Sequence, residues 1–144
     1  MSKFLFISIK PEFANKIISR TKTIELRKIK PKVSLGDYVL IYATVPVKSV
    51  IGFGVVKSVI DTTPELMWEN HSQQLGIDKS RFDAYYSQTQ RAVGIEISAV
   101  CKIPNKIYLD DIKSFFPRFS PPQTFRYLSK FGALRTYKLI SELC

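Results

Sequence analysis

The chain has 144 residues, which fits one domain better than two, and 45% of them are hydrophobic, enough for a sizeable core. Twenty-two Lys and Arg residues face 12 Asp and Glu residues, so the formal net charge is +10. The abundance of aromatic residues excludes a disordered chain. The charge attracts polyanions, of which nucleic acid is the commonest, although an anionic membrane or an acidic protein also fits.

Several other classes lack their sequence signals. Two cysteines and one histidine give no Cys/His cluster for zinc, and we expect no metal and no cofactor. No P-loop, Rossmann glycine pattern or Ser-His-Asp set is recognisable. The first residues lack the features of a secretion signal, and no segment approaches the roughly 20 apolar residues of a membrane span. We therefore expect a cytoplasmic protein with no membrane partner.

The first predicted elements are a strand, a short helix and a second strand. Residues 4–9 combine aromatic and β-branched side chains, which is typical of a strand. Pro11 can begin a helix because its missing N–H costs nothing at the first position, and apolar residues recur at helical spacing over residues 11–20. Residues 23–27 return to a strand.

The middle of the chain predicts two further strands. A lysine-rich loop at 28–35 precedes a strongly apolar strand at 38–43. A longer strand follows at 49–60, where Gly52 and Gly54 indicate a bend of the kind that barrel corners need.

The second half of the chain predicts helices and strands in alternation. Thr63 can cap a helix that runs to Gln74, and Asp78 can cap a second helix. That second helix carries Tyr85 and Tyr86, and helical spacing places at least one of them in the core. Residues 92–103 read as one long strand or a strand pair.

The tail is predicted to be mainly helical. A short helix is expected to follow the Pro-Pro-Gln sequence at 121–123, and a last helix covers residues 134–143. The order of elements predicts an α+β fold, a β-barrel of mixed, short bent strands with helices covering one side. We expect one domain over residues 1–144, in which 104–144 form a C-terminal helical extension packed on the rest.

The most informative stretch is the second strand with the turn before it. Alternate residues of a strand share a face, so Thr23, Glu25 and Arg27 point one way, while Ile24 and Leu26 point into the barrel core. An arginine fork matches phosphate or a base edge, and a glutamate can accept from an exocyclic amine. On this stretch alone, a simple ion pair on an exposed strand is the favoured alternative.

The same stretch resembles the signature of the ASCH-domain family, G-x-K-x-x-E-x-R. Lys22, Glu25 and Arg27 match it, while Arg20 stands at the glycine position. Further similarity in the opening strand and helix, the 36–48 region and the 51–54 strand extends the resemblance over roughly residues 3–100. It implies a PUA-like pseudo-barrel with a cleft beside the first helix, and a role in RNA binding or RNA metabolism.

One branch of the wider family comprises amidohydrolases acting on N-acetylated cytidine. Its lysine falls on Lys22, which would be the catalytic residue of an enzyme, but its threonine position holds Glu25. Glu69 and Glu96 are the candidates for its later glutamate. Arg27 and burial would lower the pKa of Lys22, whereas a close Glu25 would keep Lys22 charged, which favours binding over base catalysis.

Further ligand-binding candidates lie at strand ends and in loops. Ser8 and Lys10 end the first strand beside a helix start, where backbone donors can hold an anion, although a solvated lysine fits equally well. Thr44 and Lys48 flank Pro46 in a loop. Gln123 could read a base edge if its loop closes the cleft.

These patterns leave three hypotheses open. The first is a domain that binds RNA or a modified nucleotide, in RNA metabolism or transcription regulation, with Lys22 and Arg27 on phosphate or carbonyl oxygens and Glu25 fixing orientation. The second is a small metal-free amidohydrolase or ribonuclease acting on a modified nucleoside or RNA. The third is a regulator that binds a protein partner.

Overall fold

A strongly curled six-stranded sheet, close to a half-barrel, organises the described part of the chain, which is residues 2–115 and 117–128 of a computed structural model. The strands are β1 Phe4–Ile9, β2 Ile24–Arg27, β3 Tyr38–Ala43, β4 Ser49–Thr62, β5 Ala92–Tyr108 and β6 Phe125–Tyr127. Their order across the sheet is β2-β5-β4-β3-β1-β6. β1 and β3 are parallel and the other pairs are antiparallel. Strands β2 and β6 therefore form the two edges.

Four α-helices lie in the described residues, and the first three begin at a proline or after a capping residue. They are α1 Pro11–Ile18, α2 Pro64–His71, α3 Lys79–Tyr85 and α4 Leu109–Phe115, with a 3₁₀ turn at Ser72–Gln74 after α2. The Thr63 hydroxyl accepts from the Leu66 N–H at 3.2 Å, and the Asp78 carboxylate accepts from the Arg81 N–H at 2.8 Å. The predicted caps of α2 and α3 are thus confirmed.

The apolar interior is divided into clusters. The main core joins residues of β1, β3, β4 and β5 with Ala14 and Ile17 of α1. Ile24 and Leu26 lie elsewhere, in a cluster with Met67 of α2 and Phe82 of α3. Their predicted place in the barrel core is wrong because α2 and α3 cover this face of β2 and provide its apolar contacts.

Strands β4 and β5 are longer than predicted, with 14 and 17 residues. Their shared ladder shifts register between Val50 and Gly52 and again between Phe53 and Val55. Such irregularities bend a strand and increase its local twist, so long strands can follow the curl. The bend predicted near Gly52 and Gly54 is confirmed.

The chain after α4 differs from the prediction. No helix follows residues 121–123 within the described residues; an irregular segment leads instead into β6, which pairs with β1. The Ser8 N–H donates to the Thr124 carbonyl at 2.9 Å, so this segment is bound to the sheet edge. The helix predicted at 134–143 lies outside the described residues. The single domain with a 104–144 helical extension stays a prediction, although residues 104–128 include the end of β5 and strand β6 as well as α4.

None of the helices in residues 2–115 and 117–128 is long and apolar enough to cross a membrane. The cytoplasmic location stays a prediction.

Candidate functional site

A side chain, in place of a strand ladder, connects the two edges of the curled sheet. Arg27, at the end of β2, donates from Nη2 to the Ser8 carbonyl at 2.7 Å and from Nη1 to the Thr124 carbonyl at a long 3.5 Å. Ser8 belongs to β1, and Thr124 directly precedes the opposite edge strand β6. The gap between β2 on one side and β1 and β6 on the other, called the seam below, is therefore bridged by a polar side chain and not by a strand ladder.

A cleft of about 440 Å³ occupies this seam. Its polar lining is Ser8, Lys10, Lys22, Glu25, Arg27, Thr44, Gln123 and Thr124, and its apolar lining is Ile9, Phe13, Leu26, Ile77 and Tyr85. The predicted ligand-binding residues thus lie together, with the exception of Lys48. Their role as a binding site stays a prediction.

Lys48 lies outside the cleft lining, in the turn that precedes β4. The Val45–Pro46 peptide is cis, and Lys48 has a φ of 50°. Its carbonyl accepts from the Leu109 N–H at 3.0 Å, so its backbone belongs to the junction with α4.

Lys22 is the most deeply buried polar group of the cleft, with only 2% of its surface exposed. Its Nζ donates to the Leu75 carbonyl at 2.5 Å. Gly76 covers its aliphatic stem so closely that a Cβ at position 76 would lie 2.6 Å from the Lys22 Cβ. The turn between α2 and α3 therefore holds the lysine in place.

Glu25 connects the two cations of the cleft. Its Oε2 accepts from Arg27 Nη2 at 2.8 Å, and its Oε1 lies 3.7 Å from Lys22 Nζ, too far for a direct hydrogen bond. The side chains of Glu25 and Arg27 are 8% and 11% exposed. The alternative of an exposed ion pair is thus wrong about exposure, because the pair forms in a shielded seam.

The pKa of Lys22 is lowered from its ordinary value of 10.5, chiefly because burial penalises the charged ammonium. Glu25 acts in the opposite direction and raises this pKa, but its effect is smaller than that of burial. Burial and Arg27 lower the pKa of Lys22 and Glu25 raises it, each in the direction expected from the sequence. Burial is the dominant influence.

Sequence reasoning missed the aromatic walls of the cleft. Tyr86 is core, as predicted for at least one of the pair, whereas Tyr85 is 37% exposed and lines the cleft. The Phe13 ring centroid lies 5.3 Å from Lys22 Nζ and 4.9 Å from the Arg81 guanidinium carbon. The signal was present in the helical spacing, because Tyr85 and Tyr86 cannot face the same side of one helix.

The glutamates considered for an amidohydrolase lie away from the cleft. Glu69 is exposed on α2, and Glu96 accepts from the Ser58 hydroxyl at 2.9 Å on the sheet. Within the described ranges, Glu25 is the one carboxylate in the cleft lining, and no group of three or more His, Cys, Asp or Glu side chains is arranged to hold a metal.

Comparison with known proteins assigns the family. The model of the ASCH domain matches residues 7–109, which is most of the chain. This protein belongs to the ASCH domain family. The ASCH signature residues Lys22, Glu25 and Arg27 all fall within the matched range. Arg20, at the glycine position of the signature, has a φ of 68°, the left-handed conformation that glycine adopts most easily.

Relatives of this ASCH domain agree with the fold. The chain is 33% identical over 137 residues to a protein of Zymomonas mobilis named ASCH domain-containing ribonuclease, covering 95% of this chain and 92% of that one. The crystal structure of ASCH from Zymomonas mobilis superposes with a TM-score of 0.88 at 33% identity, covering 96% and 94% of the two chains.

A more distant neighbour shares the fold alone. Human THYN1, solved in complex with 5-methylcytosine-containing DNA, has a TM-score of 0.57 at 11% identity, covering 96% of this chain and 97% of that one. The predicted PUA-like architecture of the ASCH domain is confirmed.

Proposed function

We propose that this ASCH domain binds RNA in the seam cleft. The observation that carries the proposal is the shielded Lys22–Glu25–Arg27 cluster at the floor of an open 440 Å³ cleft. Ligand sites commonly combine apolar walls with a few convergent polar groups, and this cleft has both. A net charge of +10 supports a polyanionic partner, because it increases the local concentration of phosphates.

The Zymomonas mobilis relative adds independent support. It is named a ribonuclease, and the alignment extends over nearly the whole of both chains. A protein of that name must hold RNA, so conservation of the overall fold makes RNA the nucleic acid we propose here. A role in transcription regulation or with a protein partner is not favoured by any contact in the cleft.

Binding is tested by fluorescence anisotropy with a labelled single-stranded RNA across a series of salt concentrations. Each phosphate contact to a single strand contributes about 0.7 to the slope of log affinity against log salt. Lys10 is exposed at the cleft lining, so Lys10→Ala should reduce the slope by about that amount. Lys57 is exposed on β4 outside the lining, and Lys57→Ala is the charge-matched control. An affinity that is equal in both variants, or independent of salt, would contradict the proposal.

A second candidate function is RNA cleavage in the same cleft. Two findings favour it: the name of the relative, and the lowered pKa of a lysine that lines the cleft. An uncharged Lys22 amine could take the proton of a ribose 2′-hydroxyl. The 2′-oxygen then attacks the adjacent phosphorus and the bond to the 5′-oxygen breaks. The products are a 2′,3′-cyclic phosphate and, after the 5′-oxygen gains a proton, a 5′-hydroxyl.

Mass spectrometry of labelled RNA after incubation tests for these products, with and without a metal chelator. Lys22→Met keeps the apolar stem and removes the amine, so cleavage should be lost while Lys57→Met retains it. Circular dichroism verifies that both variants are folded. Cleavage that persists in folded Lys22→Met would exclude Lys22 as the base. If wild-type protein binds RNA and leaves it intact, the cleavage function is excluded and the binding proposal stands.

A further inference from the structure

The floor of the cleft contains a carboxylate oxygen that the described protein holds only through a long ion pair with Lys22. Oε2 of Glu25 accepts from Arg27, but Oε1 is 3.7 Å from Lys22 Nζ, and no described residue donates a hydrogen bond to it. Glu25 lines the cleft, so this oxygen is on the ligand side. A carboxylate oxygen in a shielded place is a strong acceptor for an N–H of a ligand, and it repels a phosphate oxygen.

Both cations of the floor, in contrast, already donate to carbonyl oxygens of the protein. Lys22 Nζ donates to the Leu75 carbonyl and also lies over the Phe13 ring. Arg27 uses Nη2 on both Ser8 and Glu25, its Nε is buried without a hydrogen-bond partner, and its Nη1 makes one long contact. The bidentate grip by which arginine holds phosphate needs two parallel N–H groups, and this fork does not offer them.

Two exposed lysines lie in or beside the cleft lining. Lys10 is exposed in the cleft lining, and Lys28 is exposed with its Nζ 4.7 Å from the centroid of the Tyr85 ring. Tyr85 forms part of the apolar wall and packs edge-on against Tyr86, with ring centroids 4.7 Å apart. The recessed part of the cleft thus combines apolar walls with the Glu25 carboxylate and its neighbour Lys22, while Lys10 and Lys28 are exposed.

We propose that the cleft receives one unpaired nucleobase, edge first. An N–H of the base donates to Oε1 of Glu25, the base packs against Tyr85, and the flanking phosphates remain outside near Lys10 and Lys28. This inference rests on the proposed RNA binding and specifies its substrate class as single-stranded RNA with an accessible base. A base within a duplex has its hydrogen-bonding edge paired and its faces stacked, so it cannot enter.

Competition against a labelled single-stranded RNA tests the inference on wild-type protein. Uridine and cytidine should displace the RNA, whereas 3-methyluridine and N4,N4-dimethylcytidine, which lack the edge N–H groups, should compete at least about tenfold more weakly, as expected for loss of a hydrogen bond to a charged group. Inorganic phosphate and ribose 5-phosphate should not compete at the concentrations at which uridine does. A blunt RNA duplex should bind more weakly than either of its strands.

A pair of tyrosine variants supplies the second measurement. Tyr85→Ala should weaken RNA binding about tenfold, within the usual range for loss of one base–aromatic contact, and Tyr85→Phe should retain it. Tyr108 is 52% exposed and outside the cleft lining, so Tyr108→Ala is the matched control.

The two levels of proposal fail in different ways. If the protein binds no RNA at all, the proposed function fails. If RNA binds but methylated and unmethylated nucleosides compete equally, phosphate competes as well as uridine, or the duplex binds as well as its strands, then RNA binding stands and the base-in arrangement is overturned.

Discussion

Two groups at strand ends each pair a carboxylate with basic side chains, but one is buried and the other is exposed to solvent. In the cleft, Glu25 joins Lys22 and Arg27 with side chains that are 2% to 11% exposed. Before β5, Arg91 donates from Nε to Asp61 at 2.6 Å, and the two side chains are 63% and 22% exposed. Arg91 lowers the pKa of the Asp61 carboxyl, chiefly through its hydrogen bond, whereas burial dominates the pKa of Lys22. In the exposed pair the partner determines the titration, and in the buried cluster desolvation does.

The largest expected effect comes from removing the shared acid of the buried cluster. Glu25→Ala leaves two shielded cations without their anion, and such a loss typically costs about 3–5 kcal/mol of unfolding free energy. Asp61→Ala removes the acid of the exposed pair and should change stability little, because water replaces it. Urea denaturation of both variants measures the difference. Equal losses would show that the cleft is as well hydrated as the surface.

Gly76 offers a way to disturb the buried cluster without changing a charge. It has a φ of 62°, and an added Cβ would lie 2.6 Å from the Cβ and 3.0 Å from the Cγ of Lys22. Gly76→Ala should therefore combine backbone strain with overpacking, which typically costs about 1–3 kcal/mol, and should also weaken RNA binding.

Gly36 is the matched control for that variant. Its φ is 93°, yet nothing lies within 4 Å of an added Cβ. Gly36→Ala should show the backbone strain alone and leave RNA affinity unchanged. If both alanine variants lose the same stability in denaturation, contact with Lys22 is not what makes Gly76 necessary.

The lowered pKa of Lys22 predicts a pH dependence that the exposed pair lacks. Below the folded pKa, the buried ammonium is charged in both states and its desolvation destabilises the folded protein. Between the lowered folded pKa and the ordinary 10.5, the unfolded state binds more protons, so stability rises with pH.

The measurement is the unfolding free energy of wild type minus that of Lys22→Met as pH is raised towards 10.5. This difference should increase by up to about 1.4 kcal/mol per pH unit, because the variant has no titrating group at position 22. A flat difference would mean that Lys22 titrates at its ordinary value.

The sequence predicted the cleft residues better than their environment. Alternation along residues 23–27 indicated that Glu25 and Arg27 share a face, and the structure places both on the cleft. It could not show that the 74–76 turn lies over Lys22, since that contact joins residues more than 50 positions apart. Charge-rich strands are usually exposed, so only the three-dimensional position of α2 and α3 reveals the burial.

The tail shows a similar limit in the fold. Pro121, Pro122 and Gln123 are typical of a helix start, yet the chain continues as β6 because the β1 edge offers unpaired backbone groups. The segment that was wrongly predicted to be helical also carries Gln123 and Thr124 into the cleft lining. Local propensity was overridden by pairing between residues over 100 positions apart, as the Ser8 and Thr124 hydrogen bond shows.

The smallest expected effect concerns an exposed cation, Arg20, that comes two residues before Lys22 in the chain. Arg20 has a φ of 68° and donates from Nη1 to the Ile97 carbonyl at 3.0 Å. Arg20→Gly relieves a left-handed strain of about 1–2 kcal/mol but loses a hydrogen bond of about 0.5–1.5 kcal/mol, so stability should change by less than about 1 kcal/mol.

Arg20→Ala separates these two contributions, because it loses the hydrogen bond and retains the left-handed strain. In thermal or urea unfolding it should be less stable than Arg20→Gly. Arg20→Gly could instead lower the unfolding free energy as much as Glu25→Ala does. Solvent exposure would then not explain why the buried ionic group contributes more to stability than the exposed one.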